Sequence, residues 1–187
     1  MTAAYTKQNI IADLTAPIAE IVKCYPTQRS AIMPALYLAQ EKYGFLDETA
    51  YRAIAEILDI PEIWVFELAS FYTLYKNKNI GKYNLQLCTN VPCMLRGAYD
   101  LLGHLQTRLG ISKGETSKDS LFTLTTVECI GSCDVAPAMM VNDTYHCNLS
   151  KERVDQLLDQ LSQADIKSLM EENKSSTEKD PSTGTEP

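Results

Sequence analysis

Two short cysteine loops constrain this chain more than any other feature. Cys88-Thr89-Asn90-Val91-Pro92-Cys93 is a C-x4-C pair, Cys129-Ile130-Gly131-Ser132-Cys133 is a C-x3-C pair, and thirty-five residues lie between them. Each loop follows a stretch with the two-residue period of a half-buried strand. Tyr83, Leu85 and Leu87 alternate with Asn84 and Gln86 before Cys88, and Phe122-Thr123-Leu124-Thr125-Thr126-Val127 runs into Cys129. In open α/β sheets, ligands collect beyond the carboxyl ends of strands. If the two strands are neighbours, the loops face each other and four sulfurs converge. Four thiolates offered as two close pairs suit a metal or iron–sulfur site. The reading is a [2Fe–2S] cluster held by Cys88, Cys93, Cys129 and Cys133.

Other chemistries use similar parts. A structural zinc site also takes four cysteines, and C-x4-C lies within its range, so spacing alone leaves zinc open. A thioredoxin-like redox dithiol needs C-x-x-C, which is missing. A Rieske centre needs two histidine ligands, but His104 falls within a helical pattern and His146 in a late turn. Two disulfides require an oxidising compartment. An all-thiolate cluster is anionic and becomes more so on reduction, so backbone N–H groups near the sulfurs matter. Gly131 permits tight packing between Cys129 and Cys133, Pro92 stiffens the first loop and Pro137 bounds the second. Cys93 is expected near the start of a helix, where unpaired N–H groups and the helix dipole favour thiolate.

Composition narrows the function further. A formal net charge of −7 argues against a nucleic-acid binder, which needs a basic stripe. No apolar run approaches the roughly 18 residues of a membrane span. The first residues lack a basic segment followed by an apolar one, so no secretory signal is expected and the cysteines are expected in a reducing compartment. There is no G-x-G-x-x-G or Walker loop, and neither of the 2 histidines adjoins a nucleophile with a partner. A chain that holds electrons but has no substrate site must work against a partner that supplies them.

Before the first strand the pattern is helical. Residues 1 to about 24 read as a helix or loose lead-in interrupted by Pro17, with Cys24 a small buried or half-buried side chain at its end. Ile32, Leu36, Ala39 and Tyr43 mark a helix over 31–43 closed by Gly44. Asp47 caps a second helix striped by Tyr51, Ile54, Ile57 and Leu58. Pro61 suits the first position of a third, which buries Val65, Leu68, Phe71 and Tyr72. So small a bundle buries little area: it is either a structural unit or a docking segment, and the docking reading expects Trp64, Phe66 and Tyr75 to exceed what it can cover. From residue 83 the order reads β-α-β-β-α, with Leu95, Ala98, Leu101, Leu102, Leu105 and Leu109 on one helical face. Met139–Val141 belongs to a third strand, Cys147 sits near the sheet edge, and Ser150 caps the last helix, with Leu149 and Val154 as its staple. From Glu171 the chain is rich in Ser, Thr, Glu, Lys and Pro, and disorder is expected.

Cys88-Thr89-Asn90-x-Pro92-Cys93-x-Leu95-x-Gly97 and Val127-Glu128-Cys129-x-Gly131-x-Cys133-x-x-Ala136-Pro137 resemble the paired cluster motifs of the peripheral [2Fe–2S] subunit of respiratory complex I, of the NuoE type. Tyr25-Pro26, Arg29–Leu36, Leu38-Ala39-Gln40 and Ala69–Thr73 resemble that family's helical segment, so the likeness covers about residues 18–162. It implies an α+β chain: a helical bundle over 1–80 that docks and a thioredoxin-like [2Fe–2S] ferredoxin domain over 81–163; the disordered acidic tail expected over 164–187 lies outside the shared pattern and rests on composition alone. It implies that the four cysteines ligate the cluster and that the partners are an FMN- and NADH-binding flavoprotein subunit and a large iron–sulfur subunit. It implies a place in the peripheral arm, on the cytoplasmic side of the inner membrane, without membrane insertion. The cluster would lie near the flavin but off the main path to quinone, storing one flavin electron transiently. NAD-linked hydrogenases and NAD-dependent formate dehydrogenases use subunits of the same plan, and a zinc-stabilised interaction module is the reading from a different class.

Overall fold

A computed structural model describes residues 5–177, with side chains through 167. The chain divides into two compact units between Ile80 and Gly81.

The first unit is helical. Helix α1 (Lys7–Val22) opens on a capping box between Thr6 and Asn9 and buries Ile10, Leu14 and Ile18, spaced four apart on one face. It runs through Pro17 instead of breaking there, and Cys24, just past its end, is exposed, contrary to the buried position expected. A short 3-10 turn (Gln28–Ala31) leads into α2 (Ile32–Tyr43), which stops at Gly44 with φ 84°. Helix α3 (Glu48–Leu58) is capped by Asp47, whose carboxylate accepts from Thr49 N–H at 2.9 Å and Ala50 N–H at 3.1 Å. Helix α4 (Glu62–Phe71) begins one residue later than expected, so Pro61 stands at the cap and not inside the first turn. Ile32, Leu36, Ile54, Leu58 and Val65 are fully or almost fully buried with the α1 stripe in one core.

Tyr75 belongs to that core as well. It is buried, and its hydroxyl donates to the Met33 carbonyl at 3.0 Å. Trp64 is half-buried beneath the Arg29 guanidinium, 4.5 Å from the ring centre. Of the three aromatics expected to be in excess, only Phe66 is exposed; the apolar surface of α4 is completed instead by Ile63 and by Phe71, which is expected in the buried face but is 76% exposed.

The second unit is a four-stranded mixed sheet in the order β2-β1-β3-β4. Strands β1 (Tyr83–Cys88) and β2 (Phe122–Val127) run parallel, in register from Tyr83–Phe122 to Cys88–Val127. β3 (Met139–Val141) lies antiparallel to β1, and β4 (Thr144–His146), which the sequence pattern did not reveal, lies antiparallel to β3. The helical stretch after Cys88 is two helices, α5 (Val91–Leu95) and α6 (Ala98–Leu109), separated at Gly97 with φ 90°. Leu95 is therefore exposed and does not continue the α6 stripe. Leu101 and Leu105 of α6 and Val154 and Leu158 of α7 (Lys151–Thr177) share a core with Leu85, Leu87 and Leu124. His104 and Arg108 of α6 bond Asp155 and Asp159 of α7 at 2.9 and 2.8 Å, holding the two helices together. Ser150 caps α7 through Arg153 N–H, with Leu149 and Val154 in the same core. The disordered tail expected from 164 is helical as far as Thr177; the remainder of that expectation, 178–187, lies outside the described residues.

Candidate metal centre

The parallel register ends at Cys88 and Val127, so both cysteine loops leave the sheet side by side at one edge. Thr89 N–H donates to the Val127 carbonyl at 3.1 Å and Cys88 N–H to the Ala138 carbonyl at 3.1 Å, which fixes the first loop against both flanks of the second.

Cys88 and Cys93 are buried, each 2% exposed, in a pocket of small side chains: Ala98, Ala136 and Ala138. Small neighbours let the backbone come close to sulfur. Cys93 is the third residue of α5, and its thiol is hydrogen-bonded to Cys88. Burial pushes the Cys93 thiol up to about 11; the Ala138 N–H opposes this and the neighbouring Cys88 adds to it. The thiolate-favouring effect expected of the helix start is thus outweighed by desolvation. Metal ligation requires thiolate, so a metal taken up at this pair would expel protons.

Cys129 and Cys133 are exposed, with their sulfurs 3.3 Å apart. Gly131 N–H points at the Cys129 sulfur from 3.4 Å. That bond, together with Cys133, lowers the Cys129 pKa, while Cys133 is raised chiefly by its bond to Cys129. The two directions are opposed, so the pair shares its contact unequally, with Cys129 the thiol held down and Cys133 the one pushed up. The interaction of Cys133 with Cys88 and of Cys93 with Cys133 links the two pairs electrostatically.

Among the described residues no three His, Cys, Asp or Glu side chains close around a single ion position. The sulfurs meet as two pairs. One pair for each of two irons is the donor set of a [2Fe–2S] group, whereas one tetrahedral zinc draws four sulfurs to about 2.3 Å from one point. The residues present fit the binuclear group: two sulfur pairs at one sheet edge, each with a backbone N–H on a sulfur.

Three contributors went unrecognised as site residues in the sequence. Ala138 acts through its backbone, which no side-chain motif displays. Asn90 and Glu128, both inside the motifs, bond to each other across the loops at 2.9 Å. Cys147 follows edge strand β4 as expected, and it packs half-buried against the small residues around Cys88 and Cys93. His104 is engaged with Asp155, and His146 lies at the end of β4; neither is a candidate ligand.

Comparison with known proteins agrees with this geometry. The family model described as "Thioredoxin-like [2Fe-2S] ferredoxin" matches residues 18–162. A protein of Rhizobium meliloti (strain 1021), named as an E-type subunit of NADH-quinone oxidoreductase, is 54% identical over 135 residues, covering 72% of this chain and 80% of the relative. A protein of Rickettsia conorii (strain ATCC VR-613 / Malish 7), likewise named as an E-type subunit of that oxidoreductase, is 41% identical over 145 residues, covering 76% and 87%. Among solved structures, the NAD+-reducing [NiFe]-hydrogenase in its H2-reduced state matches with a TM-score of 0.62 at 24% identity. That likeness covers 70% of this chain and 22% of the hydrogenase chain, and it shows the fold alone.

Proposed function

We infer the function from one premise: this chain belongs to the thioredoxin-like [2Fe–2S] ferredoxin family. It is an electron-transfer protein of the iron–sulfur class. The finer reading is that it is the peripheral [2Fe–2S] subunit of an NADH:quinone oxidoreductase; its relatives of 54% and 41% identity, named as E-type subunits of that oxidoreductase, support this. Cys88 and Cys93 hold one iron and Cys129 and Cys133 the other. The observation that carries this is the meeting of two sulfur pairs at the ends of neighbouring parallel strands, one pair buried and one at the surface.

When bound, the cluster takes up and returns one electron. The chain's residues prepare for that charge. N–H groups of Gly131 and Ala138 stabilise negative sulfur. The alanines around Cys88 and Cys93 keep water from that half of the site, while the surface position of Cys129 and Cys133 brings the other half within reach of a partner.

That partner is the flavoprotein subunit carrying FMN and NADH, with the large iron–sulfur subunit alongside, in the peripheral arm on the cytoplasmic side of the inner membrane. Among the described residues no helix is long and apolar enough to cross a membrane. The exposed Ile63, Phe66 and Phe71 line a shallow hollow on α4, and this face docks on the flavoprotein subunit. A second reading is the equivalent subunit of an NAD-linked hydrogenase or formate dehydrogenase; the fold shared with an NAD+-reducing [NiFe]-hydrogenase is compatible with it without choosing it.

Metal and sulfide analysis with EPR on protein purified without air tests the assignment. The expected result is two iron and two sulfide per chain and a spin-half signal on dithionite reduction. One zinc, no sulfide and no signal would leave only the interaction module. Co-purifying quinone-reducing membrane subunits favour the first complex; a nickel–iron, di-iron or molybdenum subunit favours the second.

A further inference from the structure

Two side-chain hydrogen bonds cross between the cysteine loops. At one end Asn90 Nδ2 donates to Glu128 Oε2 at 2.9 Å; at the other, an Arg96 guanidinium N–H donates to the Ala136 carbonyl at 3.1 Å. The first joins side chain to side chain. Asn90 also accepts from Val91 N–H at 2.8 Å through its own amide oxygen, so both ends of the amide are engaged and its direction is set. The amide that caps the helix carrying Cys93 therefore also holds the residue preceding Cys129. The sheet ladder constrains the loops only as far as Cys88–Val127 and the Thr89 N–H bond. Beyond that point the Asn90–Glu128 contact continues the alignment.

Glu128 brings charge as well as a hydrogen bond. Among the described residues no cation pairs with it, and Asn90 is neutral. Reduction adds one negative charge to a [2Fe–2S] site, and a fixed carboxylate one residue from a ligand raises the energy of the reduced form.

We propose that Asn90 and Glu128 are a positioning pair for the electron-transfer site: their hydrogen bond holds the two sulfur pairs in register, and the carboxylate it fixes there lowers the site's reduction potential. The inference rests on the ligand assignment made above. Asn90 and Glu128 need touch neither iron nor sulfur; they act through the loops and through charge.

The test uses the full chain, loaded with iron and sulfide without air, as wild type and as Asn90→Ala and Glu128→Gln. Three quantities are read: the midpoint potential, the EPR line shape and the rate of iron loss to a chelator. Glutamine at 128 can still accept from Asn90, so Glu128→Gln keeps the bond and removes the charge. Its midpoint rises, the rise shrinks with added salt, and iron loss stays at the wild-type rate. Asn90→Ala keeps the charge and removes the bond, so iron is lost several-fold faster and the EPR lines broaden. An unchanged midpoint in Glu128→Gln overturns the electrostatic role. Wild-type iron loss and line shape in Asn90→Ala overturn the alignment role. A wild-type chain that takes up no iron and sulfide overturns the ligand assignment and the positioning role together, which separates that failure from the other two.

Discussion

Gly131 donates its N–H to the Cys129 sulfur at 3.4 Å from a backbone with φ of 81°. The residue two places after a proposed ligand thus solvates its sulfur, in a conformation that L side chains rarely adopt. No atom lies within 4 Å of where a Cβ would stand, so a substitution is penalised by backbone conformation and not by collision. Gly131→Ala is expected to destabilise the loop by about 1–2 kcal/mol and to weaken the N–H bond to sulfur. The loaded protein should then release iron to a chelator faster than wild type, with the far-ultraviolet circular dichroism unchanged.

Gly81 presents the opposite case. A Cβ there would meet the Leu121 carbonyl carbon and oxygen and the Phe122 carbonyl carbon at 2.9 Å, all backbone, while its N–H donates to Thr123 Oγ1 at 2.6 Å. Gly81→Ala must push the start of β2 away from β1, costing about 1–3 kcal/mol. Urea unfolding followed by circular dichroism measures this, and a midpoint equal to wild type would mean that the strands are not held this closely.

The exposed face of α4 yields a binding prediction. Phe71→Asp combined with Ile63→Asp is expected to weaken association with the flavoprotein subunit by about 2 kcal/mol, ~30-fold, as interface anchors typically do. The visible absorption of the loaded chain should not change. Wild-type affinity in the double variant would make the bundle a structural appendage.

Stability should also depend on pH through His146. Burial lowers its pKa from the ordinary 6.5, so the unfolded chain takes up a proton at higher pH than the folded one. The folded state therefore loses stability as pH falls below about 6.5 toward the folded pKa, and regains it on the way up. His146→Gln should flatten this slope in urea titrations carried from neutral pH down through 6.5. Asp119 works in a lower window. The Ser117 hydroxyl and Leu121 N–H hold its carboxyl below 3.8, so its contribution is present above that value and fades beneath it. A slope in the histidine window that persists in His146→Gln would assign it to another group.

The cysteine loops were legible because each sits where a two-residue period ends. That change of rhythm marks a strand terminus whatever the rest of the fold does. Strand β4 was not legible: Thr144-Tyr145-His146 is 3 residues long with Thr144 and Tyr145 exposed, too short for any period to register. The break at Gly97 was hidden because Leu95 and Ala98 happen to continue the spacing of the α6 stripe. The extension of α7 to Thr177 escaped for a different reason. Its residues are poor in apolar side chains, but Ala164, Lys167, Leu169, Met170, Glu171 and Glu172 are good helix formers, and backbone propensity shows no apolar stripe. Tyr75 looked surplus by size, yet its burial depends on an acceptor, the Met33 carbonyl, 42 positions away. The Asn90–Glu128 contact spans 38 positions and exists only because the β1–β2 register brings those loops together.

The unequal shelter of the two sulfur pairs gives the site a front and a back. Iron, chelator and oxidant all arrive from solvent, and they meet Cys129 and Cys133 first. Those two thiols stand 3.3 Å apart, close enough for an oxidant to take their hydrogens and join them as a disulfide. Cys88 and Cys93 are shielded from the same attack by the alanines packed around them. A disulfide there would leave no thiolates on the outer side, so oxidation would disable the proposed site from the front while the back pair stayed intact.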